Sequence, residues 1–257
     1  MANYSGTNDD DTIIGSALGD VMLGNGGNDI LFGLGGNDLL DGGEGDDVFL
    51  AGLGTGTDRI DGGAGHDVVM ATADNAVIGL AALAGIEAID AGGFAGVRLL
   101  GSTGADHLDF AAVAVTGIAA IEGGVGNDTI IGSNGADRII GGAGADLLFG
   151  GDGSDSFVYA STADSGVGTS RGDIIGDFIS GVDSLDLTGI DADASVAGDQ
   201  AFTFIGNAAF TGLGQLRIGV DAQGNTALFG NTTGSLAPDF QISFGNNVPL
   251  QPADLLL

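Results

Sequence analysis

Cysteine is absent from the 257 residues, which excludes disulfides and thiolate-held zinc or iron-sulfur centres. Lysine is absent too, and five arginines (Arg59, Arg98, Arg138, Arg171, Arg217) face 35 acidic residues, for a formal net charge of -30. A surface of that sign repels nucleic acid and anionic membranes. Five scattered arginines also make a poor cradle for uronate carboxylates, which counts against a polysaccharide lyase or epimerase. Neither histidine, His66 or His107, is followed by glutamate, so the H-E-x-x-H zinc helix is missing. Each follows glycine-rich turn residues and is expected in an exposed loop. Gly168 to Gly172 spells G-x-S-x-G, but no histidine follows Ser170 to act as its base, so it reads as a loop. No run of about 18 apolar residues occurs, so no membrane span is expected. The opening MANYSGTNDDDTIIGS has neither a basic start nor an apolar run, which argues against a cleavable leader.

What is abundant is glycine, 52 residues, and aspartate, which supplies all but three of the acids (Glu44, Glu87, Glu122). A generic solvated surface would use both acids, whereas a short carboxylate held at one distance from a turn favours Asp. The two residue types fall on one clock. Counted in nines from Gly6, five units run without a slip: GTNDDDTII, GSALGDVML, GNGGNDILF, GLGGNDLLD and GGEGDDVFL. Position six is Asp11, Asp20, Asp29, Asp38 and Asp47, and position eight is Ile13, Met22, Leu31, Leu40 and Phe49. After two extra residues, Ala51 and Gly52, the clock resumes with Asp58 and Asp67. A second array from Gly123 adds Asp128, Asp137, Asp146 and Asp155.

Glycines at positions one, two and four allow sharp turns. Positions seven to nine form a short strand whose middle side chain points inward. One such strand cannot bury its own side chain, so successive units must stack into a flattened coil. Two units make one coil, which places residues 18 apart at the strand spacing of about 4.8 Å. Asp11, Asp29 and Asp47 then line one edge and Asp20 and Asp38 the other, with Asp128 over Asp146 and Asp137 over Asp155. Bare carboxylates at that spacing repel by roughly 1 to 4 kcal/mol. With so few basic side chains, a hard divalent cation held by carboxylate and carbonyl oxygens is the expected counter-charge, and calcium suits the looser geometry better than magnesium. The bland alternative is a metal-free glycine-rich solenoid with aspartates as turn formers; turns alone would accept Asn or Ser at position six far more often.

GGVGNDTII at 123 to 131 and GGAGADLLF at 141 to 149 satisfy every fixed position of G-G-x-G-x-D-x-U-x. The chain therefore resembles the RTX family of secreted calcium-binding proteins. The resemblance implies an all-β fold, a parallel β-roll with several Ca2+ ions between the loops of consecutive coils, capped by a C-terminal β-rich domain. It implies metal ligation by Gly24, Gly26, Gly27 and Asp29; by Gly33, Gly35, Gly36 and Asp38; and by Gly42, Gly43, Gly45 and Asp47. In the second array it implies Gly123, Gly124, Gly126 and Asp128; Gly132, Asn134, Gly135 and Asp137; and Gly141, Gly142, Gly144 and Asp146. Asp11, Asp20, Asp58, Asp67, Asp106 and Asp155 complete the metal set. GTNDDDTII and LGTGTDRID depart from the pattern.

Four segments follow. Residues 1–70 are the first array and 71–122 an irregular continuation, in which AGIEAIDAGG recurs as TGIAAIEGG, matching Ile86 with Ile118 and Ile89 with Ile121. GGFAGVRLL at 92 to 100 has Val97 in place of aspartate and should supply a coil without a full ion site. Residues 123–158 are the second array. Residues 159–257 resemble the C-terminal module of serralysin-type secreted metalloproteases, with Phe202, Phe204, Phe210, Leu216, Ile218, Phe240, Ile242 and Phe244 alternating like strands. In that family this region carries an uncleaved signal read by a type I secretion apparatus, and Asp254 with Leu255, Leu256 and Leu257 matches its ending. The reading is thus a secreted, extracellular calcium-binding protein, not an enzyme, acting as an adhesin, matrix or surface module toward polysaccharide or cells. The alternative is an accessory module of an extracellular enzyme system, a protease or polysaccharide-modifying enzyme, without its own catalytic domain.

Overall fold

A computed structural model describes residues 1–52, 54, 56–168 and 171–257. The G-x-S-x-G serine lies outside the described residues. The protein is all-β, a parallel β-roll. It divides into two compact units, residues 1–102 with 106–122, and residues 103–105 with 123–257.

In the first unit each nonapeptide turn feeds a short strand, and alternate strands enter two different sheets. One sheet orders Thr12–Ile14, Ile30–Phe32, Val48–Ala51, Val68–Ala71, Ala88–Asp90 and Ala114–Thr116, all parallel. The other stacks Asn3–Ser5, Val21–Gly26, Leu39–Glu44, Asp58–Ala64, Val77–Ala84 and Arg98–Leu100, closed by residues 120–122. The coil period is two nonamers: Tyr4 pairs with Met22 and Met22 with Leu40, while Ile13 pairs with Leu31. Across Ala51 and Gly52 the offset becomes 20, pairing Leu40 with Ile60 and Val48 with Val68. The insertion is thus absorbed by one coil without a change of face.

Position eight fills the interior between the sheets. Met22, Leu31 and Val69 are fully buried, as are Leu40 and Phe49. Val97, in the aspartate position of its unit, is buried as well, and Leu99 two residues on pairs with Ile78 and Ile121. The matched isoleucines of the irregular segment separate: Ile89 pairs with Val115 in one sheet and Ile121 with Leu99 in the other. A 32-residue recurrence is not a whole number of coils here, so likeness of sequence did not become a shared ladder. His66 is an exposed turn residue, but His107 opens the strand His107–Asp109, exposed at position seven. The expectation of a loop fails there because position seven is the outward-facing start of the strand, which a polar ring tolerates.

The second unit repeats the pattern and then changes it. Thr129–Ile131, Leu147–Phe149 and Asp173–Ile175 stack in parallel, and Phe240–Phe244 joins the last of these, also parallel. Antiparallel strands Thr226–Asn231 and Gln215–Val220 continue that sheet, ending with Thr203–Phe204. The facing ladder runs Arg138–Ala143, Ser156–Val158, Ser184–Asp186 and Leu255–Leu256. Phe202, Phe210, Leu216, Phe240, Ile242 and Phe244 are buried, whereas Phe204 and Ile218 are half-exposed. The terminal carboxylate Asp254 is buried, accepting from Ser180 Oγ at 2.7 Å and the Gly181 amide at 2.9 Å.

Because each position-eight side chain is the whole core contribution of its half-coil, Leu31→Ala should cost about 2–5 kcal/mol in the folded state. Ile14→Ala, at an exposed strand position, should change stability by less than about 0.5 kcal/mol; denaturant melts of the two variants compare them.

Candidate metal centre

The turn before each strand ends in the position-six aspartate, and the coil repeat stacks these residues in rows. Each row is stitched by one recurring bond, in which a carboxylate Oδ1 accepts the amide N–H of the aspartate one coil earlier. Asp29 accepts from Asp11, Asp47 from Asp29 and Asp67 from Asp47, each at 2.8 Å. On the other edge Asp38 accepts from Asp20 at 2.8 Å and Asp58 from Asp38 at 2.9 Å. In the second unit Asp146 accepts from Asp128 at 2.8 Å and Asp155 from Asp137 at 2.9 Å. The vertical rows expected from the 18-residue spacing are therefore present, with a correction. The charge between carboxylates is not left to a cation alone, since a backbone N–H stands between each pair.

That bond uses one oxygen only. Asp29, Asp47, Asp67, Asp146 and Asp155 are buried, and the Oδ2 of each has no hydrogen-bond partner. An orphaned buried carboxylate oxygen costs more than the roughly 1–3 kcal/mol of a neutral group. The oxygen also explains glycine at position one: an added Cβ at Gly24 would lie 2.2 Å from Asp29 Oδ2, and at Gly42 2.1 Å from Asp47 Oδ2. Two ion pairs, Arg98–Glu122 and Arg138–Asp186, engage acids outside the aspartate rows.

Among the described residues no three His, Asp or Glu side chains converge on a point, so a cation here must also draw on backbone carbonyls. The turns supply them in columns, for a Cβ at Gly43 would lie 2.3 Å from the Asn25 carbonyl, and one at Gly63 2.1 Å from that of Gly43. Buried carboxylate oxygens beside stacked carbonyls form an all-oxygen donor set, which fits a hard cation of loose geometry.

The rows extend beyond the residues picked out from sequence. Glu87 Oε2 accepts from the Asp67 amide at 2.8 Å, Asp173 Oδ1 from Asp146 at 2.9 Å and Asp183 Oδ1 from Asp155 at 3.0 Å. Each opens an acid-x-apolar triplet, EAI, DII or DSL, which was the available signal. Offsets of 20, 27 and 28 residues hid it. The turns of Asp67 and Asp155 add Gly62, Gly63 and Gly65, and Gly150, Gly151 and Gly153, all in the same G-G-x-G-x-D pattern. Residues Leu53 and Thr55 in the turn of Asp58 lie outside the described residues.

Burial holds the Asp47, Asp58, Asp146 and Asp155 carboxyls up at about 6, with neighbouring carboxylates adding to it, against an ordinary 3.8. Asp173 is pushed to about 8 by burial, with the Asp146 charge adding. The Tyr159 hydroxyl, fully buried, is raised well above its usual range by burial and by the Asp173 charge.

Such a scaffold is a calcium-type β-roll, a coil whose turns present rows of half-satisfied carboxylates. The profile of the RTX calcium-binding nonapeptide repeat (four copies) matches residues 5–40, 23–57, 53–78 and 122–157. These two arrays are RTX calcium-binding nonapeptide repeats, and repeats of that kind bind calcium. Among solved structures it is similar to the AlgE6R2 subunit of the Azotobacter vinelandii mannuronan C5-epimerase, at 30% identity and a TM-score of 0.46, over 62% of this chain and 91% of that one. The AlgE6R3 subunit of the same epimerase matches at 21% identity and a TM-score of 0.32, over 66% and 78%. No curated protein matches. No helix among the described residues is long and apolar enough to cross a membrane.

The raised carboxyls fix the sign of the metal-free pH dependence. The folded state keeps protons that the unfolded chain has already lost between about pH 4 and 6, and up to about 8 at Asp173. Stability is therefore greatest below that window and falls as pH rises through it. In excess chelator the melting temperature should be higher at about pH 5 than at about pH 7.5. With calcium present the order should reverse, because protons and the cation compete for the same oxygens.

Proposed function

We propose that this is a secreted, extracellular calcium-binding protein with no catalysis of its own, whose arrays fold when they meet calcium outside the cell. The observation that carries the reading is the set of orphaned, buried Oδ2 atoms on Asp29, Asp47, Asp67, Asp146 and Asp155. At neutral pH each is a charge enclosed without a partner, so the metal-free coil is penalised at each of these five rungs. Asp29, Asp38, Asp47, Asp67, Asp128, Asp146 and Asp155, with the carbonyls of their glycine turns, Gly62, Gly63, Gly65, Gly150, Gly151 and Gly153 among them, would hold the ions. A bound calcium ion would supply the positive charge that those oxygens lack.

Export in this reading is by a type I secretion apparatus, with residues 159–257 as a serralysin-like capping and signal module following segments 1–70, 71–122 and 123–158. Leu255 pairs with Leu185 and Asp254 is buried, whereas Leu256 and Leu257 are exposed, so the terminal Asp-Leu-Leu-Leu is fully accessible only before folding. That agrees with passage of an unfolded chain. Outside, the rigid acidic coil serves as an adhesin, matrix or surface-associated module.

Sites with dissociation constants of about 10⁻⁴–10⁻³ M suit extracellular calcium. An ion at ten times its dissociation constant stabilises by about 1.4 kcal/mol per site, so several together reverse the balance. Calcium titration followed by circular dichroism should show a cooperative gain of β-structure between about 0.1 and 10 mM. A full β-spectrum in excess chelator at neutral pH would defeat the proposal.

A further inference from the structure

Ten of the described turns fall into two kinds, and the residue at position two separates them. In one kind position two lies at positive φ: Asn25 at 75°, Leu34 at 74°, Gly43 at 106°, Gly63 at 95°, Gly142 at 95° and Gly151 at 89°. Leu34 is a bulky side chain in a region that such residues rarely adopt. The orphaned oxygens of Asp29, Asp47, Asp67, Asp146 and Asp155 all belong to turns of this kind.

In the other kind position two is Thr7, Ser16, Ser102 or Ser133, and none of these residues has positive φ. There the hydroxyl and amide both donate to the position-six carboxylate. Thr7 gives Asp11 Oδ2 its amide at 2.6 Å and its hydroxyl at 2.9 Å. Ser16 does so to Asp20 Oδ2 at 2.8 and 2.7 Å, and Ser133 to Asp137 Oδ2 at 2.7 and 2.9 Å. Ser102 bonds Asp106 likewise, by its amide at 2.6 Å and its hydroxyl at 2.8 Å. The same hydroxyl accepts the amide of position four, from Asp9, Leu18 and Gly135 at 3.1, 3.2 and 3.1 Å. Carboxylate and turn amides thus satisfy one another with no orphan left. Three of these turns open rows: Asp11 comes before Asp29, Asp20 before Asp38 and Asp137 before Asp155.

We propose that a position-two hydroxyl takes the place of the cation, so that the turns of Thr7, Ser16, Ser102 and Ser133 are ion-free seals, and calcium occupies only turns whose second residue is left-handed. The physical basis is substitution of one counter-charge by another. Two charge-assisted donors on one oxygen meet the need that the ion meets elsewhere, and the ordinary φ at position two does not turn the backbone as the left-handed turns do. A row then starts on a coil that is stable without metal, on which the first ion-dependent turn can be laid. Asp11, Asp20, Asp106 and Asp137 accordingly act as structural carboxylates, not ion ligands.

This rests on the calcium reading above, and the experiment separates the two. Bound calcium is counted by native mass spectrometry on the full chain, stripped and reloaded, for the parent, Ser133→Gly and Leu34→Ser. Leu34→Ser copies into the turn of Asp38 the serine of the turn one coil earlier; Ser133→Gly removes the hydroxyl and permits the left-handed turn. The expected result is one ion fewer for Leu34→Ser and one more for Ser133→Gly, with β-structure in calcium unchanged. A parent that takes up several ions while both variants keep its number overturns the seal proposal alone. A parent that takes up none overturns the calcium reading and the seals with it. Should Leu34→Ser fail to fold, the Ser133→Gly count decides by itself.

Discussion

The structure depends on the hydrogen bond from one aspartate's amide to the carboxylate of the aspartate one coil later. It is a charge-assisted bond, buried or partly buried, and it repeats along both arrays. Its consequence is an asymmetry within each carboxylate. Oδ1 is committed to holding the neighbouring coil, while in Asp29, Asp47, Asp67, Asp146 and Asp155 Oδ2 is carried into the same buried turn with nothing to meet it. The fold therefore creates the need for a counter-charge by the same contact that sets its register.

Hydrophobic burial alone would not give this chain a unique coil. Position eight supplies one apolar side chain per nine residues, and 52 glycines raise the entropy cost of ordering the turns. The carboxylate ladder adds direction and register, and the raised carboxyl ionisations show that it is unfavourable when charged and uncompensated. In the proposed function cation binding and folding are one equilibrium, tuned by how many oxygens are left orphaned. In the seal proposal, a hydroxyl at the second residue of a turn takes that turn out of the equilibrium.

The C-terminal region solves a different problem. A parallel coil ends in an open edge, and here strands Phe240–Phe244 and Leu255–Leu256 occupy the edges left by residues 173–175 and 184–186. The aromatic contacts Phe157–Phe178 and Phe178–Phe244 tie the last coil to the strand that covers it. Asp173 and Asp183 carry the carboxylate ladder into this region, so roll and cap share one bonding scheme and not merely an apolar contact.

The nine-residue period by itself determined the strand positions, the two-nonamer coil, the inward face and the rows of aspartate, because a strict repeat leaves one way to stack identical short strands. It also determined the kind of ion, since an all-oxygen donor set with almost no basic residues admits only a hard cation. What the tertiary structure decided is which carboxylate oxygens are orphaned. That depends on the φ angle at position two and on whether a hydroxyl is there to donate, as Ser16 does to Asp20 and Gly43 cannot to Asp47. The structure likewise decided the partners of Glu87, Asp173 and Asp183, whose offsets of 20 to 28 residues follow from loop insertions. Local spacing fixes what a short strand does, whereas long-range pairing is set by which coil a loop's length allows the chain to rejoin.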